Sequence, residues 1–205
     1  MPERTFDFCA LQYLNLWLEK ESNYCEMLSS ADISTQQQAL REASVYFRVA
    51  RNLPTSFEQD GAPRYSSVLE VLNGIDEITQ DNVVDKVTGT SKKISEHYGG
   101  RQTLSATSKF LWLKFKQPVR IYDSQACHAL GTPKNDFAAF NDAFSEHYSN
   151  HKQEILTACS KLKNQLSYTV QPKMKQTDIE TITSKDWFHE RVFDIYLWNK
   201  GNINK

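Results

Sequence analysis

The sequence is poor in residues that interrupt folded chains, and it contains no long apolar run. Its 205 residues include only 7 glycines and 6 prolines, while hydrophobic residues make up 40%. This composition excludes disordered, collagen-like and linker proteins, and a chain of this length can bury a core without a metal or a disulfide. The apolar stretch from Phe110 to Phe115 is interrupted by a lysine and falls far short of the roughly 20 residues of a membrane span. We therefore expect a folded globular protein with no membrane partner.

Signals for secretion, metal binding and cofactor binding are missing as well. The first ten residues lack the basic start, apolar run and cleavage site of a secretory signal, which predicts a cytoplasmic protein. No glycine-rich phosphate loop, HExxH or GxSxG motif occurs, and the pair His147 and His151 lacks a convincing third ligand. The cysteines have no metal-ligand spacing and are interpreted as buried thiols: Cys9, Cys25, Cys127 and Cys159. The sequence predicts neither a cofactor nor a metal site.

Apolar residues recur with helical spacing along almost the whole chain, which predicts a compact all-α fold. Only Val119 to Tyr122 and Tyr168 to Val170 look strand-like. No internal repeat or linker divides the sequence, so we expect a single domain over residues 1–205. Helices are predicted around residues 6–18, 39–50, 65–72, 83–98, 103–115, 124–130, 137–148, 152–166 and 184–198.

Helix caps can be predicted at three places. Gly99-Gly100 is expected to end one helix with a left-handed cap, and Thr103 or Ser105 is expected to cap the next. Asp123 stands at the N-cap position of the helix from Ser124 to Leu130. These caps lie within a basic, catalytic-like segment over residues 86–130.

The net charge of −1 hides a strong local asymmetry. Between Lys86 and Arg120 the sequence has eight basic residues and one acidic residue, a net charge of +7, so the rest of the chain carries −8. Such an excess can concentrate a polyanion at one place, although a solvated basic face is the alternative. DNA is the partner that this pattern favours. Charge reversal at Lys92, Lys93, Lys114 and Lys116 is then expected to weaken DNA binding.

Lys109 and Asp123 are the candidate catalytic pair. Lys109 lies in the second turn of a largely apolar helix, where burial disfavours the ammonium form and favours a nucleophilic amine. Asp123 at a helix N-terminus is held as a carboxylate by backbone N–H groups and the helix dipole. The alternative is a lysine that reaches the surface with its amine and an ordinary helix cap.

The same residues carry a resemblance to a known family. Ser108-Lys109-Phe110-Leu111-Trp112, a turn with Pro118, and Ile121-Tyr122-Asp123-Ser124 resemble the catalytic region of helix-hairpin-helix DNA glycosylases, in particular 8-oxoguanine DNA glycosylases. With Ala129-Leu130, this stretch is similar to a small bacterial group of 8-oxoguanine-glycosylase-fold proteins, some of them encoded in antiviral defence operons. The C-terminal stretch from Trp187 to Trp198 also resembles the closing helix of that group.

The resemblance implies a compact, all-helical helix-hairpin-helix glycosylase fold with a degenerate hairpin, and a DNA N-glycosylase activity that can include strand cleavage. Lys109 is then the amine that attacks C1′ of a flipped-out nucleotide, and Asp123 stabilises the cationic sugar. Candidate base-pocket residues are Trp112, Tyr122, His128, Trp187 and Trp198. Candidate nucleic-acid-binding residues are Lys92, Lys93, Arg101, Ser105, Thr107, Ser108, Lys114, Lys116 and Arg120. For each of these aromatic residues, a place in the hydrophobic core is the alternative.

Three other functions compete with a DNA glycosylase. The chain could be a nucleic-acid-binding module without catalysis, or an interaction subunit of a defence complex that binds its protein partner through the aromatic C-terminal helix. It could also be a glycosylase-like enzyme that acts on a nucleoside or nucleotide. Trapping of a covalent adduct between abasic DNA and Lys109 would separate these alternatives.

Overall fold

The computed structural model describes residues 4–58 and 61–203 of the chain. It is 72% helical, and the described residues form no β-strand. The prediction of an all-α fold is therefore confirmed. Neither strand-like segment forms a strand, since residues 119–122 are irregular and Tyr168 ends a 3-10 turn. A single extended segment without a partner strand has no ladder of hydrogen bonds to join.

Ten α-helices occur in the described part of the chain. They are α1 (Phe6–Leu16), α2 (Ser22–Leu28), α3 (Ile33–Tyr46), α4 (Ser66–Asn73), α5 (Val83–His97), α6 (Leu104–Phe115), α7 (Ser124–Leu130), α8 (Phe137–Lys161), α9 (Gln176–Thr183) and α10 (Asp186–Ile203). Within residues 4–58 and 61–203, no helix is long and apolar enough to cross a membrane.

Contacts along the chain divide it into two compact units, which are described one at a time. One unit is Glu21–Tyr122 and contains α2 to α6. The other combines the described residues of Met1–Lys20 and Asp123–Lys205 and contains α1 and α7 to α10. A single domain over residues 1–205 stays a prediction.

The unit Glu21–Tyr122 is built around α6. From Leu104 to Leu113 every residue of this helix is buried except Ser105, which is half-buried. A helix that is apolar on all sides needs neighbours on all sides, and α2, α3 and α5 contact it. α5 turns a buried stripe that includes Val87 and Ile94 inward and leaves its polar side exposed. The buried position of α6 explains how a lysine on this helix becomes enclosed.

The second unit is organised by α10, which contacts α1, α7 and α8. Phe188 of α10 lies 4.8 Å from Tyr13 of α1, measured between ring centroids. α7 approaches α10 so closely that a Cβ on Gly201 would overlap the backbone carbonyl of Gln125. Glycine at position 201 is therefore what allows this helix contact.

Several helix predictions are corrected by the structure. The two helices predicted between residues 137 and 166 are one continuous helix, α8, because the polar residues in its middle include no glycine or proline to end it. The short helix α9 was not predicted, since Ile179 and Thr183 alone are buried on it and give little periodic signal. Near the start of the chain, α1 continues through a π-helical turn, Trp17–Glu21, into α2. α3 ends at Tyr46, earlier than predicted, and Arg48 follows with a φ of +56°.

Candidate functional site

The turn between α5 and α6 precedes the candidate lysine. Gly99 and Gly100 have φ angles of +65° and +77°, which confirms the predicted left-handed cap at the end of α5. A Cβ on Gly99 would lie only 2.6 Å from Cε1 of Phe57. The positive φ therefore favours glycine here, and any larger residue would also have to displace the exposed ring of Phe57. Ser95 Oγ also donates to the carbonyl oxygen of Arg101 at 2.7 Å, which ties the turn to α5.

The first turn of α6 has no side-chain cap, so the prediction that Thr103 or Ser105 caps it is wrong. Thr103 occupies the N-cap position, but its Oγ1 donates to the carbonyl oxygen of Ser91 on α5 at 2.7 Å. The hydroxyl of Ser105 instead bonds to Lys109, which follows one turn later on the same face of the helix. Both hydroxyls therefore bond to groups other than the N–H groups of the first turn.

Lys109 is buried, with 3% of its surface exposed. Its Nζ donates to Ser105 Oγ at 2.8 Å and to the carbonyl oxygen of Tyr122 at 3.0 Å. Ser108 Oγ accepts a hydrogen bond from the backbone N–H of Tyr122 at 3.0 Å. Both backbone polar groups of Tyr122 therefore bond to consecutive side chains of α6. We call Ser105, Ser108, Lys109 and the backbone of Tyr122 the lysine cluster.

The lysine cluster permits two roles for Lys109. An amine that is almost completely buried and held by hydrogen bonds has the positional order that a nucleophile needs. The same bonds also fasten Tyr122, the last residue of its unit, to the central helix. The burial expected for Lys109 from the apolar character of α6 is confirmed.

Asp123 belongs to the other unit, where it opens α7. Its Oδ1 accepts a hydrogen bond from the backbone N–H of Gln125 at 2.8 Å, so the predicted N-cap is confirmed. Gly131, with a φ of +69°, ends the same helix in the left-handed conformation. The pairing of Asp123 with Lys109 in one catalytic unit stays a prediction.

The predicted nucleic-acid-binding residues lie in very different environments within their unit. Lys92, Lys93 and Arg101 are exposed, Ser105, Lys114 and Lys116 are half-buried, and Thr107, Ser108 and Arg120 are buried. Exposed Asp85 and Glu96 share α5 with the two exposed lysines. The charge excess of the segment is therefore only partly available at the surface.

Lys114 has an evident structural task. Its Nζ donates to the carbonyl oxygen of Leu72 at 2.9 Å and to Oδ1 of Asn73 at 2.6 Å, at the C-terminal end of α4. The Leu72 carbonyl also accepts from the backbone N–H of Ile75 at 3.3 Å, and a cation at this end of the helix complements the helix dipole. Partial burial lowers the pKa of Lys114 below its ordinary value. Asn73 in turn donates to Gln36 Oε1 at 3.0 Å, so this contact links three helices.

The predicted base-pocket residues are divided between the two units. Trp112 and Tyr122 are buried in the unit Glu21–Tyr122, with 2% and 5% of their surfaces exposed. In the other unit, Trp187 is half-buried with its ring 4.5 Å from that of Trp17, while His128 and Trp198 are exposed. The packing of Trp187 against another tryptophan agrees with the alternative to a base-pocket role, a place in the hydrophobic core.

The sequence did not point to the contact between α6 and the backbone of Tyr122. Ser108 was grouped with the nucleic-acid-binding residues, yet its side chain is fully buried and its hydroxyl accepts from a backbone N–H. The spacing of Ser105 and Lys109, one helical turn apart, was a usable signal for their hydrogen bond. No comparable signal marks Tyr122, because a backbone acceptor can belong to any residue.

Within residues 4–58 and 61–203, no group of three or more histidine, cysteine or acidic residues could hold a metal ion. Comparison with protein-family models, with curated proteins and with solved structures finds no match to this chain.

Proposed function

We propose that this chain is a DNA N-glycosylase-like enzyme of the helix-hairpin-helix type, in which Lys109 is the nucleophile. The observation that carries the proposal is the lysine cluster. Lys109 is almost completely buried on a central helix, and its amine is fixed by Ser105 and by the Tyr122 carbonyl. The resemblance of the surrounding residues to 8-oxoguanine glycosylases supports the same role, and a place in antiviral defence follows from that resemblance alone.

The proposed reaction follows from amine chemistry. As the free amine, Nζ of Lys109 attacks C1′ of a modified nucleotide, a C–N bond forms, and the bond from C1′ to the base breaks. The base leaves with the bonding electrons and takes up a proton. Ring opening of the sugar, with a proton taken up at O4′, gives a protonated imine at C1′. Loss of a proton from C2′ then forms the C2′–C3′ double bond as the C3′–O bond to the phosphate breaks, which cleaves the strand. Asp123, as its counterpart in the resembling enzymes implies, stabilises the cationic sugar in the transition state.

Borohydride trapping on abasic-site duplex DNA tests the proposal. We expect the wild-type protein to form a covalent adduct, and peptide mass spectrometry to place that adduct on Lys109. Lys109→Gln removes the amine and is expected to form none. Lys152→Gln, at an exposed lysine of α8, is the matched control and is expected to trap like the wild type. Absence of a wild-type adduct, or an adduct on another lysine, would overturn the proposal.

A second candidate, an enzyme that acts on a free nucleoside or nucleotide, is favoured by the placement of the basic residues. A duplex-binding enzyme needs several phosphate contacts, whereas Lys109 and Arg120 are buried and Lys114 bonds to the end of α4. A small substrate would need few exposed cations. Release of free base from a nucleoside panel, with no adduct on abasic DNA, would identify this function.

Catalytically inactive binding to nucleic acid, and binding to a protein partner, predict a different outcome. A protein that shifts labelled DNA but neither traps nor releases base would be a binding module. If the protein neither binds DNA, nor forms an adduct, nor releases base, the remaining alternative is an interaction subunit that binds a protein partner.

A further inference from the structure

The segment from Tyr168 to Lys175, which precedes α9, holds two apolar side chains in solvent. Among the described residues of its unit, the large apolar side chains with the greatest exposure are Tyr168 at 72% and Val170 at 51%. Thr169 between them is extended and buried. Because side chains alternate along an extended chain, Tyr168 and Val170 both point to the outer side of this segment.

Side chains from two neighbouring parts of the chain hold the backbone of this segment in place. Asn15 on α1 donates through Nδ2 to the carbonyl oxygen of Tyr168 at 3.2 Å, and its Oδ1 accepts from the backbone N–H of Val170 at 2.7 Å. Gln171 Nε2 donates to the carbonyl oxygen of Leu18 at 3.2 Å. The exposed ring of Tyr168 is thus presented by an ordered backbone, which lowers the entropy lost when a ligand binds.

The chain around the segment is basic. Residues 155–177 include no acidic residue and four lysines, which are Lys161, Lys163, Lys173 and Lys175. The first two are paired, with Asp7 at 2.9 Å and with Glu180 at 2.6 Å. The amines of Lys173 and Lys175 are exposed and bond to no other described residue. Exposed Asp178 in the first turn of α9 is the next acidic residue along the chain, so a positive excess remains beside Tyr168.

A turn keeps these two lysines near the exposed ring. The backbone N–H of Met174 donates to the carbonyl oxygen of Gln171 at 3.1 Å, so the chain turns directly after the extended residues. Lys173 lies within this turn, and Lys175 follows it as the residue before α9. Even a fully extended chain would place the Cα atoms of Tyr168 and Lys173 no more than about 18 Å apart. One short, extended ligand can therefore contact the ring and both amines.

The chemistry of this surface indicates the class of ligand. An exposed aromatic ring stacks on any nucleobase, and lysine amines bind the phosphates of the same strand. In a duplex the faces of the bases are covered by their neighbours, so an unpaired base is needed for stacking on Tyr168. A protein partner fits less well, because a stable protein interface buries about 800 Å² on each side around an apolar core. Two apolar side chains do not supply such a core.

We propose that the segment Tyr168–Lys175 binds a single strand of DNA, with the ring of Tyr168 stacked on a base and with Lys173 and Lys175 on its phosphates. This surface lies outside the basic segment 86–130 and includes none of the residues predicted from the sequence to bind nucleic acid. The inference rests on the proposed function only in the choice of DNA over RNA.

Fluorescence anisotropy with a labelled oligothymidine of about 12 nucleotides, at roughly 50 mM salt, tests the stacking. Tyr168→Ala is expected to weaken binding about tenfold, the order of one lost base stack, and Tyr168→Trp is expected to keep it. On a strand of tetrahydrofuran abasic analogues, which has phosphates but no bases, Tyr168→Ala should change the affinity less than about twofold. Phe8→Ala, at another exposed aromatic residue of the same unit, is the matched control and should bind oligothymidine like the wild type.

A double variant tests the two lysines. Changing both Lys173 and Lys175 to Gln is expected to weaken binding of both strands about tenfold. The slope of log affinity against log salt should become shallower by about 1.4, since each phosphate contact on a single strand contributes about 0.7. The matched control changes Lys134 and Lys152, two exposed lysines of the same unit, to Gln and should alter neither quantity.

Four results would overturn the inference or part of it. Unchanged affinity in Tyr168→Ala, or an equal loss on the strand without bases, would overturn the stacking. A wild-type protein that does not bind oligothymidine would overturn the inference and leave the surface to a protein partner. Binding of oligouridine about tenfold tighter than oligothymidine would overturn the choice of DNA. Neither strand offers an aldehyde to Lys109, so these outcomes are independent of borohydride trapping, in which a failure of the proposed function is seen separately.

Discussion

The central helix α6 carries two lysines whose hydrogen bonds look alike but whose surroundings differ. Lys109 and Lys114 each donate to one backbone carbonyl, that of Tyr122 and that of Leu72, and each donates to one side-chain oxygen. The carbonyl bound by Lys114 belongs to a helix end, where a cation is stabilising. The carbonyl bound by Lys109 lies in an irregular segment, and that lysine is the more deeply buried of the two. Capping explains the position of Lys114, whereas Lys109 is enclosed among the buried residues of α6.

This difference shows why a count of charges is a weak guide to a binding surface. Both lysines contribute to the net charge of +7 between Lys86 and Arg120, yet neither amine points freely into solvent. We assign a structural role to Lys114 from its contacts and propose a chemical role for Lys109. Three experiments can break or sharpen that assignment.

The largest effect is expected from Asp123→Asn. Asparagine caps a helix about as well as aspartate, so folding and DNA binding should change little. Removing one fixed charge that stabilises the transition state should slow base release by about a hundredfold. Single-turnover kinetics on a duplex with a modified base would measure the rate of base release. The losses of rate in Lys109→Gln and Asp123→Asn should not add, because residues that act as one catalytic unit give non-additive effects.

Asp136→Asn is the matched control for that experiment. Asp136 caps α8 by accepting from the backbone N–H of Ala139 at 2.9 Å, so it repeats the structural role without the proposed chemistry. If both asparagine variants behave alike, Asp123 is only a cap. Asp123 would then no longer support a catalytic role for Lys109.

A middle-sized effect is expected on DNA affinity. Lys92 and Lys93 are exposed on α5, and reversing both charges should weaken binding about tenfold at roughly 50 mM salt and flatten the salt dependence. Lys114→Gln should change affinity little, because its amine is engaged at the end of α4. Fluorescence anisotropy over a salt series measures both variants. A larger loss of DNA affinity in Lys114→Gln than in the double variant of Lys92 and Lys93 would contradict the structural role of Lys114.

Much of the fold could be predicted from the sequence because its signals are local. The glycines at 99 and 100, the cap at Asp123 and the apolar run of α6 each reflect backbone preferences or burial over a few residues. The break predicted inside α8 was wrong because polar residues lower helix propensity without ending a helix. α9 was missed since two buried positions give too little periodicity.

The candidate site was predictable only in part. The burial of Lys109 follows from the apolar residues around it on α6, and this was expected. Its partner on Tyr122 could not be found from side-chain identities, because the acceptor is a backbone oxygen distant in sequence. The role of Lys114 depends on where α4 ends relative to α6, which is a tertiary property with no local signal.

The smallest effect is expected on stability, from Lys114→Met. Methionine keeps a long unbranched side chain but removes the donor, so the Leu72 carbonyl and Asn73 Oδ1 lose their bonds to the amine. The free energy of unfolding should fall by about 1 kcal/mol, roughly fivefold in the folding equilibrium, as measured by urea denaturation at neutral pH. Lys92→Met, at an exposed position of the same unit, should stay within about 0.5 kcal/mol of the wild type. In a double-mutant cycle, Lys114→Met and Asn73→Ala should couple, because the two side chains share one hydrogen bond. Equal stability of Lys114→Met and Lys92→Met would show that the helix-end contact does not stabilise the unit, and Lys114 would return to the residues available for DNA.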